Sequence, residues 1–161
     1  MKIIPITLVA FSFLAWVISP VTFAHNNASS KHRTYLKGSG AETDPGKIVT
    51  QFHKAIKLGN KNKARYLLDD NVTIFEGGKV EKSADEYANH HMLSDMKYAA
   101  KLYTEVLEHN VTLVGDMAYS VSRTRSTGQF KGSYINKEGM ETMVLLKEGG
   151  KWKISHIHWS H

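Results

Sequence analysis

Apolar residues in the first half of the chain recur at helical spacing. Asp44-Pro45 combines a capping aspartate with a first-turn proline, and predicts a helix that ends at Gly59. Its apolar stripe is formed by Ile48, Val49, Phe52 and Ile56. Asn60 predicts the cap of a second, short helix, and a capping-box signature at Ser83 predicts a third helix through Ala100.

Strand-like segments dominate the second half. Glycine-containing turns separate them. The predicted strands are Val72–Phe75, Lys101–Val114, Met117–Gly128, Glu138–Lys147 and Lys151–Trp159. Helices followed by a run of antiparallel strands predict an α+β domain, with the helices packed on one face of the sheet.

The last predicted strand reads K-W-K-I-S-H-I-H-W-S-H. Side chains alternate faces along an extended chain. Strict alternation therefore predicts one inward face and one outward face. The inward face would carry Trp152, Ile154, His156 and His158, and the outward face Ile157 and Trp159.

A second pair of polar residues lies on the third predicted helix. His91 and Asp95 are four residues apart and share a face next to the apolar stripe, whereas His90 points the opposite way. If that helix packs over the sheet, His91 and Asp95 come opposite His156 and His158. This convergence is the central prediction from the residues.

Several chemistries fit these four side chains. Three imidazoles and a carboxylate suit zinc or iron. Five methionines after residue 24 also admit copper, although methionine more often fills core space. Asp95 and His156 are the candidate catalytic pair for general acid–base chemistry. In the simplest alternative, Asp95 only hydrogen-bonds an imidazole in a polar pocket.

Other polar residues on the strands have two readings each. Arg123 and Arg125 either hold an anion inside the sheet or decorate an exposed face, which is the commoner case. Glu141 shares a face with Met143 and Leu145. It is either an acid in a pocket or a solvated carboxylate at the end of a strand. We interpret His53 and His109 as structural or surface residues. All of these positions are weaker candidates for a functional site than His91, Asp95, His156 and His158. 

The amino-acid composition argues against several classes of protein function. There is no cysteine, which excludes a disulfide framework and a cysteine nucleophile, and there is no G-x-S-x-G motif. Lysine and arginine exceed aspartate and glutamate by 21 to 15, giving a net charge of +6 from scattered positions. This pattern favours solubility. We expect no nucleic-acid partner, because no recognisable binding motif occurs.

The N-terminus predicts export. Residues 1–24 resemble a secretory signal, with Lys2 ahead of an apolar run that Ser19 and Pro20 end. Residues 25–43 contain few apolar side chains and predict a disordered tether. Residues 44–161 then form one domain, periplasmic or secreted, with no membrane contact after cleavage.

The motif H-H-M-L-S-D-M and the closing W-x-I-x-H-x-H-W-S stretch resemble the nuclear-transport-factor-2-like (NTF2-like) superfamily, in particular its exported SnoaL-like or DUF4440-type members. The resemblance covers about Pro45 to Ser160. It implies a cone-shaped (cystatin-like) fold, in which a curved antiparallel sheet encloses a pocket, and a homodimer formed through the outer sheet face. By that analogy the pocket is lined by His91, Asp95, His156 and His158, with Trp152 and Ile154 as its floor.

These considerations give three hypotheses. The first is an exported, homodimeric domain that binds a small, largely apolar molecule in a pocket with a polar His/Asp end. The second is a lyase or isomerase that uses the same imidazole and carboxylate groups. The third is a zinc- or copper-binding protein with His91, Asp95, His156 and His158 as ligands. The superfamily hosts isomerases, dehydratases and cyclases, so the fold alone cannot choose among the hypotheses.

Overall fold

A computed structural model of the chain describes residues 39–161. The predicted signal peptide, and the predicted tether up to residue 38, lie outside the described residues. Among the described residues, no helix has the length and apolar character needed to cross a membrane.

Four helices precede and interrupt the first strands. They are α1 (Asp44–Lys57), α2 (Lys61–Leu67), α3 (Ala84–Asn89) and α4 (Met92–Lys101). The predicted caps at Asn60 and Ser83 are confirmed, since each side chain accepts a hydrogen bond from a backbone N–H three residues on. The cap of α1 is Thr43 rather than Asp44.

Six strands form one sheet in the order β2-β1-β6-β5-β4-β3. They are β1 (Leu68–Glu76), β2 (Lys79–Glu81), β3 (Leu102–Val114), β4 (Met117–Phe130), β5 (Ser133–Glu148) and β6 (Lys151–Ser160). Neighbouring strands are antiparallel except β1 and β6, which are parallel. The predicted order of helices followed by strands is confirmed, and the short strand β2 is an addition.

The inner face of the sheet is built from rows of residues that pair across five strands. One row is apolar except for a buried serine, and the next is mostly polar. The first row is Ile74, Ile157, Met143, Ser120 and Val111, and the second is Glu76, Trp159, Glu141, Ser122 and His109. The first row packs in the core beneath α1, α3 and α4, and the second borders it.

The predicted faces of β6 are wrong in its second half. Val144 and Leu145 pair with His156 and Ile154, which leaves Ser155 as an extra residue in β6. Such a bulge shifts the alternation by one residue, so that the residues after it exchange faces. Ile157 is consequently buried. His156 is half-buried and His158 exposed, both on the outer face.

The third predicted helix is broken in two. At His90 the backbone leaves the helical region (φ −109°, ψ −85°), and a new helix begins at Met92. Because of this break, His90 and His91 do not point in opposite directions as on a continuous helix. Both imidazoles reach Glu81 on strand β2.

The folded domain begins before Asp44. Ser39, which the sequence placed in the tether, pairs with strand β3: its N–H donates to His109 O (3.1 Å) and its carbonyl accepts from Val111 N–H (2.8 Å). Gly40 follows with a φ of +80°, and a Cβ there would lie 2.3 Å from Val111 O. The last residues of the predicted tether are therefore attached to the sheet.

The bulge at Ser155 predicts that substitutions at two adjacent residues change stability by very different amounts. We expect Ile157→Ala to lower the free energy of unfolding by about 2–5 kcal/mol, because it opens a cavity in the core. We expect His158→Ala to change it by less than about 0.5 kcal/mol. Urea denaturation of both variants measures this difference. Equal losses, or a larger loss in His158→Ala, would contradict the assigned faces.

Candidate functional site

A pocket of about 310 Å³ lies between strands β1 and β2 and helices α3 and α4. One aliphatic side chain and three carboxylates share its wall with one phenol, one imidazole and one amine. The lining residues are Ile74, Glu76, Gly77, Lys79, Glu81, Tyr87, His91 and Asp95. The pocket therefore contains three acidic side chains in a space of small-molecule size.

Tyr87 and Asp95 form the inner polar contact of this pocket. The Tyr87 hydroxyl donates to Asp95 Oδ2 at 2.9 Å, and Tyr87 is fully buried. Burial raises the pKa of Asp95, and the Tyr87 hydrogen bond opposes that shift in part. Burial and the nearby Asp95 charge also raise the pKa of Glu76. Glu76 and Asp95 are thus two partly desolvated carboxylates that repel each other.

Glu81 lies at the edge of the pocket and is held by histidines. It is only 5% exposed. Its Oε1 contacts His91 Nδ1, and its Oε2 lies 3.4 Å from His90 Nδ1. Unlike Glu76, this carboxylate has direct partners for both oxygens. His91 therefore contributes to the pocket while bound to Glu81 rather than to Asp95.

A second polar cluster lies on the other side of Trp159. Glu141 is 8% exposed and accepts hydrogen bonds from Trp159 Nε1 (2.7 Å) and Ser122 Oγ (3.4 Å). It also pairs with His53 Nε2 of helix α1 at 2.8 Å. His109 Nε2 lies 3.0 Å from Ser120 Oγ nearby. The interpretation of His53 and His109 as structural or surface residues did not predict that both belong to this cluster.

Charge pairing decides the titration of the second cluster. Burial disfavours both charges, but the attraction between them outweighs it, so the pKa of His53 is raised and that of Glu141 lowered. Burial and the adjacent His53 lower the pKa of His109. Glu141 is therefore a compensated buried charge, in contrast to Glu76 and Asp95.

The structure brings together only part of the predicted constellation. His91 and Asp95 line the pocket. His156 and His158 lie on the outer sheet face, where each ring is nearly perpendicular to the ring of Phe75, at centroid distances of 5.2 and 6.2 Å. The prediction that all four share one enclosed space is wrong, because the bulge at Ser155 turns the two histidines outward.

Other predicted positions have structural roles. Trp152 and Ile154 face inward before the bulge and are buried, but neither lines the pocket. Arg123 and Arg125 pair with Glu138, and Arg123 also with Glu108, in an exposed ion-pair network. Of the two interpretations of Arg123 and Arg125, the structure supports the exposed strand face rather than an anion site inside the sheet.

Sequence reasoning missed Glu76, Glu81 and Tyr87. Glu76 lies just beyond the predicted strand Val72–Phe75, and Glu81 belongs to a strand of three residues, which is too short to show an alternating pattern. A signal existed for Tyr87, because it lies four residues after the cap Ser83, at the start of the helix stripe. The two pocket acids that were missed, Glu76 and Glu81, thus come from the β1–β2 hairpin, whereas Asp95 comes from α4.

Comparison with known proteins identifies the family. Residues 42–161 match the sequence profile described as the calcium/calmodulin dependent protein kinase II association domain. The chain belongs to this family. The delta subunit of calcium/calmodulin-dependent protein kinase type II from Oryctolagus cuniculus is 26% identical over 152 residues, covering 86% of this chain and 28% of the kinase subunit. The chain thus corresponds to less than a third of that relative's length.

Solved structures give the same fold. A candidate ketosteroid isomerase from Shewanella frigidimarina NCIMB 400 is 48% identical, with a TM-score of 0.75, covering 76% of this chain and 99% of that one. An NTF2-like protein from Pseudomonas putida KT2440 is 20% identical, with a TM-score of 0.63, covering 74% of this chain and 85% of that one. The predicted NTF2-like α+β fold is confirmed, and the association domain belongs to the same superfamily.

The His53–Glu141 pair predicts a stability contribution that depends on pH. Glu141, with its lowered pKa, contributes fully above the ordinary value of 4.5, and that contribution is lost as the pH falls through the folded-state pKa. His53, with its raised pKa, contributes fully below 6.5, and that contribution is lost as the pH rises through the folded-state pKa. Both contributions are complete between these two values.

We therefore expect His53→Gln to destabilise the domain most near pH 5.5, by at most about 1 kcal/mol since the His53 side chain is nearly half exposed. The loss should shrink towards about pH 9. Urea denaturation across this range measures it, with His158→Gln as the matched control. A loss that is constant or grows with pH would contradict the pairing.

Proposed function

We propose that the domain binds a small molecule carrying a cationic or hydrogen-bond-donating group in the pocket between the β1–β2 hairpin and helices α3 and α4. The supporting observation is the pair of partly buried carboxylates, Glu76 and Asp95. Among the described residues neither has a lysine or arginine within ion-pair distance. A cation between them would relieve their repulsion and offset their desolvation.

The remaining lining fits the rest of such a ligand. Ile74 and the ring of Tyr87 offer an apolar surface, while Tyr87 holds Asp95 in place. The polar end proposed from the sequence is retained in His91 and Asp95. Its character changes from imidazole-rich to acidic, because Glu76 and Glu81 replace His156 and His158.

Three probes of similar shape test the preference: benzylamine, benzyl alcohol and benzoate. We expect benzylamine to bind most tightly, and Asp95→Asn to weaken it by about tenfold, because a charged hydrogen bond is lost. Binding should also weaken as the pH falls and the two carboxylates become protonated. Ligand-observed NMR titration measures these affinities.

The control variant for this test is Asp116→Asn, which makes the same change in the exposed β3–β4 turn. It should bind benzylamine as the wild type does. Equal affinity for the amine and the benzoate, or equal weakening by the two variants, would contradict the proposal.

An isomerase-type reaction is a second use of the same pocket, supported by the similarity to a candidate ketosteroid isomerase. The pair first proposed for it is excluded from joint action, since His156 and Asp95 lie on opposite sides of the sheet. Asp95 and Tyr87 are the acid–base groups that remain together. Solvent-deuterium incorporation into a bound ketone would distinguish this reaction from binding alone, and its absence would count against the reaction.

We also propose that the domain self-associates through its outer sheet face, as the name association domain suggests for its family. Large apolar side chains are exposed there, between 36% and 59%. They are Phe75, Met117, Tyr119, Val121 and Met140. Ile157 and Trp159, which the strict alternation had placed on the outer face, face inward and do not belong to this surface. An exposed apolar surface of this kind is typical of an interface.

Charge on this face should prevent assembly. We expect the double variant Tyr119→Lys, Val121→Lys to sediment as a monomer, and the wild type as a dimer or larger species, in analytical ultracentrifugation. Leu58→Lys is the control, because Leu58 is 69% exposed at the end of α1, away from the sheet. A monomeric wild type, or a double variant that still assembles, would contradict this interface.

A further inference from the structure

A cluster of three potential metal ligands lies at the edge of the ligand pocket, where strand β2 meets the break between helices α3 and α4. Glu81, Glu86 and His90 each place one donor atom within 4.8 Å of the other two. This is the one group of three such residues found within residues 39–161. The residues first proposed as metal ligands, His91, Asp95, His156 and His158, do not form such a group.

Glu81 is a buried carboxylate for which no lysine or arginine partner is found among the described residues. The side chains that it pairs with within 4 Å are the imidazoles of His90 and His91. Buried carboxylates are normally paired with a cation or bound to a metal. Glu86 adds a second carboxylate, for which no lysine or arginine partner is found in the described part of the chain.

Local structure holds each donor in position. Glu81 lies in β2, and its Oε1 is occupied by His91, which leaves Oε2 directed towards His90 at 3.4 Å. Glu86 Oε2 accepts from Lys82 N–H at 2.6 Å, as part of the cap of α3. His90 is placed by the backbone break that ends α3. A hydrogen-bonded neighbour that orients a ligating carboxylate is a common feature of metal sites.

We propose that Glu81, Glu86 and His90 bind a divalent transition-metal ion of the zinc type. One imidazole and two carboxylates are an accepted donor set for zinc, with ligand distances of about 2.1 Å and a position left for water. Donors around one tetrahedral ion lie about 3.4 Å apart at that distance, so separations of up to 4.8 Å need to close by at most about 1.4 Å. His91 is a positioning residue that fixes the Glu81 carboxylate from outside the ion.

Zinc titration of the chelator-treated full chain without an affinity tag tests this site by calorimetry, with cobalt absorption as a second readout of coordination. We expect one high-affinity ion per chain. Glu86→Gln and His90→Ala should each weaken zinc binding at least tenfold. Glutamine at position 86 keeps the acceptor for Lys82 N–H, so this variant separates loss of a ligand from loss of the helix cap.

His158→Ala is the matched control, because it removes an exposed imidazole from the outer face. It should leave zinc affinity unchanged. The proposal is overturned if the wild type does not bind zinc at tens of micromolar, or if Glu86→Gln and His90→Ala bind as tightly as the wild type. It is also overturned if the control weakens binding as much as they do. Amine binding in the pocket is measured separately, so the two proposals can fail independently.

Discussion

The extra residue at Ser155 determines the inner face of the sheet. It lets β6 present Trp152 and Ile154 before the bulge and Ile157 and Trp159 after it, so that large apolar side chains face the helices along the whole strand. Trp159 then stacks on Phe52 of α1, with ring centroids 6.5 Å apart and planes 16° from parallel. It also contacts Tyr87 at 6.1 Å. The bulge thereby joins the first and third helices to one residue of the last strand.

Trp159 also separates two carboxylates with different surroundings. Its partners across the sheet are Glu76 in β1 and Glu141 in β5. Glu141 has a histidine, an indole and a hydroxyl as partners, which make it a structural charge. Glu76 faces a pocket that it shares with Asp95 and Lys79, and no ion pair to Glu76 is found among the described residues. The proposed ligand site lies on the Glu76 side of the indole, and the structural ion pair lies on the Glu141 side.

Much of the fold could be predicted from local patterns, because caps and periodicity depend on residues a few positions apart. Asn60 and Ser83 are examples, and each is found as predicted. The bulge at Ser155 depends instead on the register of β6 with β5 and β1. A local sequence pattern does not determine that register. One residue of misalignment was enough to place His156 and His158 inside rather than outside.

The candidate site was half predictable for the same reason. His91 and Asp95 share a helix and were found together. Glu81 joins them from a strand of three residues, and His90 reaches Glu81 because of a helix break that the continuous apolar stripe did not indicate. The His53–Glu141 pair connects residues 88 positions apart, so the spacing of neighbouring residues could not predict it.

Solvent exchange of the Trp159 indole N–H, followed by NMR, shows on which face of the sheet Trp159 lies. We expect slow exchange, because this N–H donates to a buried carboxylate beneath α1, together with a shift of its resonance in Glu141→Gln. Exchange as fast as that of an exposed indole, with no response to Glu141→Gln, would place Trp159 on the outer face and rule out the bulge at Ser155.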